Sequence, residues 1–585
     1  MRVLACVLGV LTLVMGMPAR AGSTPSAWGL GAMEKVRPQT PPGRESSVRL
    51  FAARNEFVSF QVGLHGGDSG WRGVSARLPE LDGPRSIQGA DIVLYRQTLL
   101  PITRPTLPYL EPGWWPDGLV PDVDETVGEK RRAFPLDVPA RESRALWVDV
   151  HVPVDAPPGE YRGTVEVGGE GHRAKVSVSL TVVDWVMPST PSLRTSFMVW
   201  TPSLCKAFTG ERNCSREDQL RLSAYLQKLG LEHRITLTSR FDPHNVPDWA
   251  TLDAWWSPFL MGTAPLRLPG ARMTGLAYAG PATSEHLADF SAQAGARGLL
   301  PSAFHAVGDE PPWHSTFDEV RARATLSRRM APQMRTLLTI TSLQELERQE
   351  LTQLIDIAVV LLNYLVPTKE GPVGGWYARS ESFLALPNRE LWLYQSCGSH
   401  GCGGPVAENF PGHGWPSYMV DVPATKGRAL EWVSFQEGAT GELYYEVAQK
   451  LPTAWTDQYL YGGNGDGTLI YPGTVPVIGG TQDVPLPSLR LKLIRLGIQD
   501  YEWLTRVSAL GDPAFAHQVA RELIPAPWRV TDDGEAFERA RVLLIHRALT
   551  LAGARVPESV EAYLREHPAP PDRNLIQPVH VGLEQ

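Results

Sequence analysis

The sequence predicts a β-sandwich followed by a (β/α)8 TIM-like barrel with extra C-terminal helices. Three observations carry this. Apolar residues recur with period two from Val48 to about Asp184, so the first part reads as half-buried strands. Past Pro188 to Pro191, eight short apolar strands alternate with helix-period segments, the signature of a closed parallel barrel. The 585 residues, 43% hydrophobic and 20% charged, exceed one ordinary core and lie far from the composition of disordered chains. The expected organisation is a leader over 1–21, a sandwich over 22–188, a barrel over 189–510 and a helical extension and tail over 511–585.

The leader comes first. Met1-Arg2, an apolar run from Val3 to Met17 and Ala19-Arg20-Ala21 form a secretory signal peptide with an Ala-x-Ala cleavage site. The run is shorter than the roughly 20 residues a membrane span needs. A lipobox at Cys6 is disfavoured because most of the apolar stretch follows that cysteine. A secreted or periplasmic protein without a transmembrane segment is expected. In an oxidising compartment Cys205 with Cys214, and Cys397 with Cys402, read as two disulfides pinning loops. A zinc site is the alternative, but paired C-x2-C knuckles are missing.

In the sandwich, Val58, Phe60, Val62 and Leu64 share one strand face, and Leu146 to Val152 and Val176 to Val182 alternate likewise. Pro157-Pro-Gly-Glu-Tyr161 is a turn between strands. Gly67-Asp-Ser-Gly70 imitates a protease nucleophile turn but has no matching histidine motif before it, so it reads as a plain turn.

Barrel strands are predicted at 194–200, 234–241, 273–279, 302–308, 335–341, 355–364, 390–396 and 441–446. Between the first two, Ser215 and Asp218 resemble a capping box, Leu222, Leu226 and Leu229 share a face, and Gly230 is placed to end the helix. Gly462 to Gly467 is a turn cluster; Asn464 and Asp466 could ligate calcium, but no run of oxygen ligands follows. Helices from Leu489 onward and at 513–524 and 534–552 close the fold before a polar, Pro-rich tail.

Polar residues just after barrel strands carry the most weight, because barrel active sites lie at the carboxyl ends of the strands. The fourth strand runs into Asp309-Glu310-Pro311, with Trp313 following. Adjacent carboxylates repel, which can hold one neutral as an acid while the other stays ionised. That division suits glycoside cleavage. Neighbours in sequence reach the same side of a sugar, whereas ordinary retaining and inverting pairs flank it. Substrate assistance remains: a 2-acetamido group attacks its own anomeric carbon, one carboxylate orients it, and the other protonates the leaving oxygen. The bland alternative is that Asp309 caps the next helix and Glu310 is a surface charge. Trp200, Tyr364, Trp392, Tyr394, Trp432, Tyr444 and Tyr445 stand near other strand ends, with Trp376-Tyr377 in a Gly-rich loop, and aromatic planes suit the C–H faces of sugars. Each alone is more readily a core residue than a ligand contact, and the cluster counts for more than its members. The net charge of −8, without a basic run, argues against a nucleic-acid partner.

These residues together resemble glycoside hydrolase family 123 and the wider set called domain of unknown function 4091, over nearly the whole mature length. The features are Ala53-Arg-Asn-Glu-Phe57, Pro158-Gly-Glu-Tyr161, Arg194-Thr-Ser-Phe197, Asp309-Glu310-Pro311, Gly441-Glu-Leu-Tyr-Tyr445, Gly465-Asp-Gly467 with Tyr471-Pro-Gly473, and Arg495-Leu-Gly-Ile-Gln-Asp-Tyr-Glu502, in that order. The resemblance implies a retaining hydrolase of the β-N-acetylgalactosaminidase type, needing no cofactor, with Glu310 as general acid/base and Asp309 positioning the acetamido group. The aromatic positions do not carry over individually. The alternative from another class is a non-catalytic glycan-binding protein on an inactive barrel.

Overall fold

The computed structural model describes residues 23–239, 249–278, 280–364, 381–396 and 414–568. The leader, Cys397, Cys402, Trp376 and Tyr377 lie outside the described residues.

Two five-stranded sheets form the sandwich. One runs in the order Ser26–Gly31, Glu56–His65, Ser143–Val152, Ile92–Ile102, Gly113–Pro121. The other runs Ser47–Arg54, His172–Val186, Gly159–Gly169, Trp71–Arg77, Leu136–Val138. All pairings are antiparallel except that of Ser47–Arg54 with His172–Val186. Val58, Phe60, Val62 and Leu64 do share one face, and meet Val176, Val178, Leu180 and Val182 of the facing sheet. The expectation of half-buried strands fails for Glu56–His65, whose opposite face is buried too. The long helix Leu489–Ala509 covers it. Gln499 Oε1 accepts from Phe57 N–H (3.0 Å) and its Nε2 donates to the Phe57 carbonyl (2.7 Å). Lys492 Nζ and Arg495 Nη2 reach Asp149 at 2.7 and 2.8 Å. The polar residues of the period-two pattern therefore face a polar helix rather than water.

The barrel strands are Arg194–Val199, Leu237–Ser239, Leu276–Tyr278, Ala303–Gly308, Arg335–Ile340, Ile357–Leu361, Glu390–Tyr394 and Gly441–Tyr444. They form one eight-stranded parallel sheet in cyclic order, with the first strand paired to the eighth and, among the described residues, no ladder pairing between the second and third. Met198, Phe304, Leu337, Val359, Trp392 and Leu443 fill its interior. Alternate residues such as Phe197, Val307, Leu338, Val360 and Tyr444 pack outward against the helices.

The first barrel helix spans Arg216–Glu232, and Ser215 Oγ accepts from Asp218 N–H at 3.1 Å, as the capping pattern predicts. Gly230 does not end it. It lies inside the last turn, where a Cβ would sit 2.9 Å from Leu237 Cγ, so the glycine permits close packing of helix on strand. Cys205 and Cys214 form a disulfide. Helices Pro513–Leu523 and Gly534–Leu551 follow the long helix. Part of the expected tail is ordered as a further helix, Glu558–Glu566, because Val560 and Tyr563 bury an apolar stripe, Tyr563 packing edge-on to Phe51 of the sandwich.

Candidate active site

The fourth barrel strand ends in a bulge, its register slipping between Ala306 and Gly308. Gly308 permits this: a Cβ there would lie 2.5 Å from Val320 of the following helix. Asp309 and Glu310 come next, at the carboxyl end of the barrel. Glu310 holds φ +39°, a left-handed conformation that a residue with a Cβ adopts only when its surroundings enforce it.

Thr339, near the end of the neighbouring fifth strand, supplies that enforcement. Its hydroxyl donates to Asp309 Oδ1 (2.7 Å) and accepts the Glu310 N–H (3.0 Å), while its carbonyl accepts the same N–H at 3.1 Å. The Asp309 N–H donates to Ser315 Oγ (2.9 Å), and the Trp313 N–H to the Glu310 carbonyl (2.9 Å). Asp309 is not a helix cap. The next helix, Phe317–Met330, carries its own capping box at Thr316 and Glu319.

Two further groups address the Glu310 carboxylate. The Tyr394 hydroxyl, at the end of the seventh strand, donates to Oε1, and His314 Nε2 lies 3.7 Å from Oε2. Glu310's side chain is 32% exposed, so it faces both solvent and these partners. Trp313 is 63% exposed in the turn just after the pair. Two residues past the end of the sixth strand at Leu361, Asn363 is buried at 4% exposure. Neither end of its amide meets a hydrogen-bond partner among the described residues.

The other aromatic positions divide. Trp200 is half-buried at the end of the first strand, under the Arg212 guanidinium at 5.0 Å. Tyr445 is half-buried just past the eighth strand, beside Tyr444 and Gly467. Burial pushes the nearby Asp466 carboxyl up to about 7, against the pull of the Tyr445 and Tyr444 hydroxyls. Trp392 is buried inside the barrel, its Nε1 donating to Glu390 Oε2 at 2.8 Å. Gly441 opposite it leaves the room its ring needs. Tyr444 faces the helix layer, and Trp432 lies in helix Leu430–Glu437, where it packs on Phe537 and donates to Asp500 Oδ2 (2.9 Å). These three are core residues, placed near strand ends by sequence distance alone. Tyr364 closes the turn after the sixth strand, and its side chain lies outside the description. Asn464 uses its amide to donate to the Arg104 carbonyl (2.8 Å) and to Asp421 (3.1 Å), as a loop tie.

Sequence reading missed Thr339, His314 and Asn363. Thr339 was hidden inside an apolar strand. Asn363, a lone amide after Ile357–Leu362, carried a readable signal: a polar residue at the carboxyl end of a barrel strand.

The site is thus a pair of neighbouring carboxylates at the rim of a barrel that follows a β-sandwich. Residues 34–169 match the glycoside hydrolase 123 N-terminal domain. The fold resembles a family 123 glycoside hydrolase from Clostridium perfringens, analysed for glycolipid glycan hydrolysis, at 13% identity and a TM-score of 0.64 over 93% of this chain and 99% of that one. β-Glucuronidase 3 of Bacteroides uniformis aligns at 10% identity and TM-score 0.23 over 72% of this chain and 49% of that one. A family 10 xylanase with a bacterial Ig-like domain from termite gut aligns at 10% and 0.23 over 59% and 86%. At those scores the likeness is loose. No curated protein sequence matches the chain. The resemblance read from the motifs thus appears both in the N-terminal domain and in the fold of the whole chain.

Proposed function

We propose that the protein is an exported retaining glycoside hydrolase that releases a 2-acetamido sugar by substrate assistance. The observation that carries the reading is the Asp309–Glu310 pair at the barrel rim, whose carboxylates are held by different partners, Thr339 and Tyr394.

Glu310 protonates the glycosidic oxygen as its bond to the anomeric carbon breaks. The acetamido carbonyl oxygen of the same sugar attacks that carbon, forming an oxazolinium ion, while Asp309 accepts a hydrogen bond from the acetamido N–H and steadies its positive charge. Water then adds to the anomeric carbon as its bond to the acetamido oxygen breaks and the amide reforms, and the water gives its proton to Glu310, which ends the cycle protonated. Thr339 aims Asp309 by donating to Oδ1, leaving Oδ2 for the substrate. Because Tyr394 occupies Oε1 of Glu310, Oε2 is the oxygen that carries the transferable proton. The half-buried Trp200 and Tyr445 serve as sugar contacts.

The test is hydrolysis of aryl 2-acetamido-2-deoxy-galactosides and glucosides, followed by glycolipid glycans of the kind the C. perfringens relative hydrolyses. Wild type releases the phenol, and Glu310→Gln loses at least about a hundredfold on poor leaving groups. Asp309→Asn damages acetamido substrates most; equal loss on substrates lacking that group argues against substrate assistance. Sugar binding without turnover would favour a glycan-binding protein. Export is tested by sequencing the N-terminus of the mature protein, expected at Gly22.

A further inference from the structure

Buried amides are almost always paired, since an unsatisfied donor or acceptor away from water costs free energy. Asn363 breaks that rule at both ends, with Nδ2 and Oδ1 alike unpartnered among the described residues. Its position gives the anomaly meaning. Ile357, Val359 and Leu361 alternate into the barrel interior, while Leu362 packs outward with the helices. Asn363 follows at the carboxyl end, in the single helical turn Leu362–Tyr364. The Cα of Leu361 pairs with that of Tyr394, whose hydroxyl holds Glu310. The amide, without a partner among the described residues, thus stands just past the strand that neighbours the one supporting the acid.

We propose that Asn363 is a sugar-recognition group whose amide pairs with hydroxyls of the bound terminal sugar. The chemistry selects the ligand class. A carboxylate or phosphate would satisfy only the NH2 group, and a cation only the carbonyl. A sugar hydroxyl both donates and accepts, so adjacent hydroxyls satisfy both ends at once. The inference rests on the glycosidase reading and deepens it by naming a contact to the ring.

The test uses the whole protein and the near-isosteric Asn363→Leu, with Asn363→Ala beside it. Melting temperature is followed with and without N-acetylgalactosamine, N-acetylglucosamine and galactose, and kcat and KM are measured on the aryl glycosides. Because the amide has no partner to lose among the described residues, Asn363→Leu should melt at or above the wild-type temperature without sugar. It should lose the sugar-induced rise and drop about tenfold in kcat/KM, mainly through KM. A lower melting temperature without sugar would make the amide structural and overturn the proposal. So would an unchanged KM and sugar-induced rise in a wild-type background that hydrolyses the substrate. Absence of hydrolysis in wild type defeats the enzymatic reading instead, and the sugar-induced melting shift still decides the role of Asn363.

Discussion

Replacing Tyr394 by phenylalanine removes the hydrogen bond from the Tyr394 hydroxyl to Glu310 Oε1 and keeps the ring that packs in the barrel interior. A hydrogen bond to a charged acceptor contributes about 1.5–3 kcal/mol when well shielded. Glu310's side chain is 32% exposed, so solvent weakens the effect, and about 1.4 kcal/mol is the working figure, a factor of about ten in rate. Freed from Tyr394, Glu310 is less well aimed at the leaving oxygen, so kcat/KM should fall about tenfold where protonation limits the rate. His314, 3.7 Å from Oε2, remains and keeps the loss from growing larger. The assay compares kcat/KM on an alkyl glycoside, whose poor leaving group makes protonation limiting, with that on an aryl glycoside whose good leaving group needs little protonation and should show a smaller loss. An unchanged kcat/KM on the alkyl glycoside, or an equal loss on both substrates, would refute the assignment of Tyr394 as the group that positions the acid.

Thr339→Val deletes the donor to Asp309 while preserving volume. Turnover of acetamido substrates should fall about tenfold, with a stability loss of about 1 kcal/mol by urea titration; full activity would remove Thr339 from the site. Glu442 is buried behind the eighth strand, accepting from Tyr418, and burial pushes its carboxyl up to about 8, while burial and Glu442 drive Glu431 well above the usual range. The unfolded chain ionises these groups near the ordinary carboxylate value, but the folded protein must hold protons on them, so stability declines as pH rises from about 4.5 to 8. Glu442→Gln should therefore raise the melting temperature more at pH 8 than at pH 5; an equal change at both would contradict the buried acid. Burial alone would raise the Asp149 carboxyl, but Arg495 and Lys492 hold it well below the usual range, and Ser59 and Trp147 also donate to it. Asp149→Ala removes the nearest carboxylate from two buried cations, Arg495 and Lys492, and should cost at least about 3 kcal/mol in urea unfolding, loosening sandwich from barrel; a loss under about 1 kcal/mol would show that the network does not join them.

The motifs that carried the resemblance acquire physical roles in the structure. Within Arg495 to Glu502, Arg495 meets Asp149, Gln499 pairs with the Phe57 backbone, and Asp500 binds the Arg428 guanidinium through both oxygens (2.6 and 3.0 Å). Gly497 makes room for Glu431, an oxygen of which lies 2.3 Å from where a Cβ would stand. Glu56, within Ala53 to Phe57, accepts from the Ala53 N–H (2.7 Å), from Trp503 Nε1 (3.2 Å) and from Arg541. These segments join the sandwich, the barrel and the C-terminal helices, a role that their residue types alone do not disclose.

Local pattern by itself determined the strands: period two for the sandwich, eight apolar runs for the barrel, and Ser215 as a cap, because backbone geometry ties each periodicity to one element. It also placed Asp309 and Glu310 at a strand end. Only the tertiary structure decided which polar face was covered, since the long helix that buries Ser59 and Asp149 comes more than three hundred residues later. The same holds for Trp392, Trp432 and Tyr444 in the core and for Tyr394, Thr339 and Asn363 at the rim. Whether a side chain lines a barrel mouth depends on closure of the sheet and on strand register, and both arise from contacts between residues distant in the chain.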